Sequence, residues 1–118
     1  MTTAAELVAK ARSKIHEVTP QETAKKLGTV LIVDVREAHE YAAGHIPGAI
    51  NIPRGVLEFK LDQYPDLQDR NREIVLQCQG GGRSALATVA MQDLGFKNVV
   101  NLAGGYGAWS AAGLPTER

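Results

Sequence analysis

The chain contains a single cysteine in 118 residues, so no internal disulfide can form and the fold must rest on packing alone. A free thiol fits a reducing compartment better than an oxidising one, and the cytoplasm is the expected location. Excess charge is also missing: thirteen basic residues balance thirteen acidic ones, with no run of five like charges. That balance argues against nucleic acid or an acidic membrane as the main partner and points to a small ligand. No apolar stretch approaches a membrane span, and Met1-Thr2-Thr3-Ala4-Ala5-Glu6-Leu7 has neither the basic nor the apolar region of an export signal. The three histidines and one cysteine show no metal-ligand spacing, His39 and His45 being six apart, so no metal is expected. Gly80-Gly81-Gly82 lacks the Lys-Ser/Thr that would follow in a P-loop, and Gly105-Tyr106-Gly107 lacks the third glycine of a dinucleotide fingerprint. No nucleotide or other cofactor is implied.

What is present reads as one domain. Leu7, Val8, Ala11, Ile15 and Val18 recur at helical spacing, so residues 4–16 are predicted to form an amphipathic helix, within an N-terminal helical extension over 1–17. Thr19-Pro20-Gln21-Glu22 combines a cap residue, a proline at the first helical position and a glutamate three residues on, opening a second helix that ends at Gly28. Val30-Leu31-Ile32-Val33 and Ile74-Val75-Leu76 are continuous apolar runs, as in parallel strands covered on both faces. Asn98 to Leu102 and the shorter Ala49 to Ile52 are further strand candidates. Helical patterns lie between them: Glu37 to Ala43, a turn or two around Val56 to Leu61, Ala85 to Leu94, and Tyr106 to Ala112. Tyr64 to Asn71 reads as a polar surface loop. The alternation predicts an α/β fold, a mainly parallel central sheet with right-handed crossovers and helices on both faces.

In such sheets, sites lie beyond the carboxyl ends of the strands, and Cys78 stands at one. It opens the loop Cys78-Gln79-Gly80-Gly81-Gly82-Arg83-Ser84, which leads into a helical pattern. Backbone N–H groups and the positive end of a helix both favour a thiolate over a thiol. Three glycines remove side chains that would crowd the sulfur and let successive N–H groups converge. A lone cysteine after a strand can also be a small buried hydrophobe, but the glycines, Arg83 and the helix together favour a nucleophile. Two roles stand open for Arg83, attraction of an anionic donor or a pair with a nearby carboxylate. Ser84 is expected as the helix N-cap, the alternative being a hydrogen bond to the sulfur.

Asp34-Val35-Arg36-Glu37 follows the first buried strand, and Tyr41-Ala42-Ala43-Gly44-His45-Ile46-Pro47-Gly48-Ala49 precedes the next. With the Cys-x-x-Gly-x-Arg-Ser loop and the terminal Leu102-Ala103-Gly104-Gly105-Tyr106-Gly107-Ala108-Trp109, the chain resembles a rhodanese domain over about residues 18–116; the extension apart, 18–118 is expected to be that domain. The resemblance implies a three-layer sandwich. It also implies a sulfurtransferase in which Cys78 takes sulfane sulfur from a small donor such as thiosulfate and passes it, as a persulfide, to cyanide, a small thiol or a thioredoxin-like protein. Residues Gln79 to Ser84 would bind the donor and the persulfide, and Asp34 and Arg36 match positions that tie strand ends and loop together. The alternative is a persulfide carrier or partner-binding module in a protein relay. His45 is expected as a hydrogen-bonded turn residue, and Tyr106 and Trp109 as core, the alternative being that one of the two rims the pocket. Cysteine phosphatases also ring a cysteine and an arginine with N–H donors, but with five residues between them. Cys78 and Arg83 enclose four, a ring better sized for one sulfur than for a phosphate.

Overall fold

The computed structural model describes residues 2–118. Thr3 caps the first helix, α1 (Ala4–Arg12), accepting from the Glu6 N–H while the Glu6 carboxylate accepts from the Thr3 N–H. α1 stops short of the predicted residue 16 because the chain turns into a two-residue strand, β1 (Glu17–Val18), which the helical spacing of Ile15 and Val18 had hidden. Thr19 and Glu22 form the expected capping box of α2 (Pro20–Ala24), with Pro20 at its start.

Next come β2 (Leu31–Asp34), α3 (Ala38–Ala43) and β3 (Ile50–Asn51). A 3-10 turn (Arg54–Val56) leads into α4 (Leu57–Lys60) and a further turn, Leu61–Gln63, and a third, Pro65–Leu67, lies inside the segment Tyr64 to Asn71 predicted as a polar loop. That segment is an anchor as well as a surface, for Leu67 is fully buried. β4 (Ile74–Gln77), α5 (Gly82–Asp93), β5 (Val99–Leu102) and α6 (Gly105–Ala111) complete the chain.

The five strands form one parallel sheet in the order β1-β5-β4-β2-β3. β4 lies at its centre, and all four of its residues are buried, which explains the unbroken apolar run in a strand covered on both sides. One face carries Leu31, Val33, Ile74, Leu76 and Val99 into a core closed by Leu57, Leu61, Leu67, Ala87 and Met91. The other carries Ile32, Val75 and Leu102 against Ile46 and Trp109. Fully burying one such leucine or isoleucine is worth about 1.5–3 kcal/mol, so the two faces together fix the strand register and with it the height at which each loop leaves the sheet. α1 packs on α5 and places its C-terminal end near the loop after β4. Among the described residues no helix is long and apolar enough to cross a membrane.

Candidate active site

Cys78 leaves the carboxyl end of β4 almost wholly buried, with 1% exposure, while Gln79 and Gly80 at the loop tip are exposed. The loop then folds back over the sulfur. The Gly81 N–H donates to Sγ at 3.1 Å and the Ser84 hydroxyl lies 3.4 Å from it. Burial alone would push the Cys78 thiol up, but hydrogen bonds from the Ser84 hydroxyl and from the N–H groups of Ser84, Gly81 and Gly80 outweigh it and hold the thiol below its ordinary value.

The expected N-cap role of Ser84 is not what the structure shows. α5 begins at Gly82, and its N-cap is Gly81, in the left-handed region at φ 98°. Ser84 is therefore the third residue of the helix, in the turn whose N–H groups lack helical partners, and it gives both hydroxyl and N–H to the sulfur. The glycines start the helix earlier than the Ala85 that side-chain periodicity indicated.

What aims the loop donors is α6. The Tyr106 N–H donates to the Cys78 carbonyl at 2.8 Å and the Gly107 N–H to the Gln79 carbonyl at 3.0 Å. In a trans peptide the C=O and the next N–H point in opposite directions, so seating the Gln79 carbonyl on α6 turns the Gly80 N–H toward the sulfur. Gly105 makes the approach possible. At φ 59°, any Cβ there would overlap the Cys78 carbonyl oxygen and stand 2.7 Å from that of Gln79. In the sequence Gly105 stood only within the terminal Leu102 to Trp109 motif, and its task is steric.

Asp34 and Arg36 form a buried pair under the loop. The Arg36 guanidinium donates to both Asp34 oxygens at 2.8–3.2 Å, to the Gly44 carbonyl at 2.8 Å and to the Gln79 side-chain oxygen at 3.4 Å, and it lies 4.3 Å from the Tyr106 ring centroid. One side chain thus spans the end of β2, the turn after α3, the cysteine loop and α6. Tyr106 is therefore a wall of this assembly rather than core alone, whereas Trp109 is fully buried and donates Nε1–H to the Pro115 carbonyl at 2.7 Å. Arg83, the loop's cation, donates to both Glu40 oxygens at 2.8 and 3.0 Å, which is the carboxylate pairing of its two foreseen roles. His45 is a turn residue: it stacks on Tyr41, its Nδ1 lies 2.9 Å from the Tyr41 carbonyl, and its backbone bridges to Glu117. Among the described residues no three His, Cys, Asp or Glu side chains cluster as metal ligands.

A buried thiol ringed by N–H donors at the end of a central parallel strand is one signature; the match of residues 19–112 to the family model of the rhodanese-like domain decides the matter. The chain belongs to the rhodanese-like family. This rhodanese-like chain is 32% identical over 104 residues to a sulfurtransferase of Allochromatium vinosum, covering 86% of this chain and 94% of that one. It is 39% identical over 93 residues to thiosulfate sulfurtransferase 16 of Arabidopsis thaliana, covering 72% and 78%. A solved structure from Rhodopseudomonas palustris, described as a protein of unknown function and possible tyrosine phosphatase, superposes with a TM-score of 0.91 at 35% identity, covering 99% of this chain and 96% of that one.

Two outcomes follow from this geometry. Gly105→Ala should push the Cys78 and Gln79 carbonyls off α6 and raise the pH midpoint of iodoacetamide alkylation of Cys78; a folded variant alkylated like the parent would show that α6 does not aim the donors. The second concerns Glu40, whose carboxyl the hydrogen bond from Arg83 holds down at about 2. A carboxyl depressed in the folded state stabilises above its unfolded value and loses that contribution as pH falls through the folded one. Measured against Glu40→Gln, the parent's advantage in melting temperature should therefore be full above 4.5 and fade as pH falls toward about 2.

Proposed function

We propose that the protein is a sulfurtransferase that carries sulfane sulfur as a persulfide on Cys78, with thiosulfate as a donor. The ring of N–H and O–H donors around this one sulfur carries the reading. The same donors serve the thiolate before transfer and the anionic persulfide after it, so the site need not reorganise between the two states. In the first half-reaction the Cys78 thiolate attacks the outer sulfur of thiosulfate, an S–S bond forms, the thiosulfate S–S bond breaks, and sulfite leaves with the electron pair. In the second, cyanide or a thiolate attacks the outer sulfur of the persulfide. Thiocyanate or a new persulfide departs, and the Cys78 thiolate is restored. Every atom and electron pair is accounted for without a metal or organic cofactor.

Gly80 and Gly81 supply backbone rather than side-chain recognition, and Ser84 contributes a hydroxyl beside its N–H. Arg83, tied to Glu40, leaves the rim short of uncommitted positive charge. A compact cradle with few donors suits the single sulfur that stays on Cys78 better than a tetrahedral phosphate, which wants several cationic or N–H contacts at once. Asp34 and Arg36 act from beneath by holding Gln79 and Tyr106. Kinetics distinguish the acceptors: fast turnover with thiosulfate and cyanide favours the small-molecule enzyme, and slow turnover with rapid transfer from a protein persulfide or to a thioredoxin-like protein favours a relay.

Incubation with thiosulfate should raise the intact mass by one sulfur atom, cyanide should remove it, and Cys78→Ser should show neither change. A reduced, accessible parent whose mass never moves would sink the assignment. Ring size gives a second test. One glycine inserted between Gly80 and Arg83 should slow sulfur transfer in a domain that circular dichroism shows to be folded. Parent phosphate-ester hydrolysis faster than its thiosulfate turnover, or an insertion variant with undiminished sulfur transfer, would end the argument from spacing.

A further inference from the structure

The loop peptide that donates most directly to the sulfur, Gly80–Gly81, lies between two pinned neighbours. Upstream, the Gln79 carbonyl is held by the Gly107 N–H. Downstream, the Gly81 carbonyl accepts from the Ala85 N–H at 3.1 Å and from Asn101 Nδ2 at 3.1 Å. Asn101 sits on β5 with no exposed surface, and its other amide hydrogen goes to Glu17 Oε2 at 2.8 Å. Its own oxygen has no hydrogen-bond partner. The two acceptors fix the amide's orientation, since the flipped form would set its oxygen against a carboxylate and a carbonyl. A buried orphan oxygen carries a desolvation cost that an apolar residue at this sheet position would avoid. What Asn101 gains in return is two aimed hydrogens, one on the loop and one on the N-terminal segment.

That segment reaches the loop directly. The Arg12 Nε lies 3.5 Å from the Glu17 carboxylate, and Arg12 Nη2 would stand 3.1 Å from a Cβ on Gly81. Val8 would lie 3.6 Å from one on Gly82. Residues 8, 12 and 17 all precede the stretch matched by the family model, which begins at 19.

We propose that Asn101 is a positioning residue for the sulfur cradle, and that Glu17 and Arg12 of the N-terminal segment anchor it, so that the Gly81 carbonyl stays back and the Gly81 N–H stays aimed at Cys78 Sγ. Its consequence for turnover rests on the sulfurtransferase reading, but thiol reactivity does not, and it can be measured first. Cys78 is the sole thiol, so the pH dependence of iodoacetamide alkylation reports on this site alone. Asn101→Leu removes both donors at similar volume and should raise the alkylation midpoint by about one pH unit, the scale of one lost hydrogen bond to the charged form. Glu17→Ala should raise it too, by less, and Glu17→Gln, which keeps an acceptor for Asn101, should restore it. The direction is diagnostic, because deleting a nearby negative charge would by Coulomb's law alone lower the midpoint. A folded Asn101→Leu protein with a lower melting temperature and the parent's midpoint would overturn the proposal. Should Asn101→Leu fail to fold, a Glu17→Ala midpoint equal to or below the parent's would overturn it instead. Absence of sulfur uptake by the parent would count against the sulfurtransferase reading while leaving the alkylation shifts intact.

Discussion

The site depends on carbonyl capture. A chain leaving a central strand exposes oxygens as readily as N–H groups, and an oxygen facing Cys78 would oppose the thiolate. The first-turn N–H groups of α6 take the Cys78 and Gln79 carbonyls from behind, and peptide planarity then delivers the opposing N–H to the front. At these two carbonyls backbone alone performs the orientation, and the Asn101 side chain takes the Gly81 carbonyl further along the loop. It requires two helix N-termini to meet at one loop, α5 receiving the sulfur and α6 receiving the carbonyls, and it requires a residue without a Cβ where they touch.

Electrostatics follow from that arrangement. Burial opposes charge on the sulfur, and only several short-range donors acting together reverse the balance, each charge-assisted hydrogen bond being worth about 1.5–3 kcal/mol. The three arginines that reach the loop are each paired with a carboxylate, Arg36 with Asp34 in the interior, Arg83 with Glu40 at the rim and Arg12 with Glu17 beside Gly81. Their charge is thereby spent on holding polypeptide in place. The anion is stabilised by dipoles that do not move, which suits a site that must hold nearly the same charge before and after it acquires an atom.

Much of this was legible in the residues. Continuous apolar runs announced the central strands, Thr19-Pro20-Gln21-Glu22 announced α2, and Cys78 before three glycines announced the cradle. Other features had no one-dimensional trace. β1 is two residues long and exists through pairing with β5, so no local pattern could distinguish it from the tail of a helix. Ser84 resembled a cap because serine is among the residues favoured at a helix start; only the left-handed turn at Gly81 moves it inside the helix. Asn101 lay unremarked within an apolar run, for its meaning depends on Glu17 and Gly81, 84 and 20 residues away along the chain. Gly105 was read as part of a motif, while its purpose is set by the carbonyls of a loop more than twenty residues earlier.

The depth of Cys78 has a consequence for companionship. A disulfide needs two sulfurs about 2.05 Å apart and backbones within about 7 Å, so two molecules that each carry their only thiol at 1% exposure cannot bring these sulfurs together without first opening both loops. Covalent self-pairing is thereby disfavoured, and a macromolecule that exchanged sulfur with this thiol would have to present its reactive atom at the loop itself.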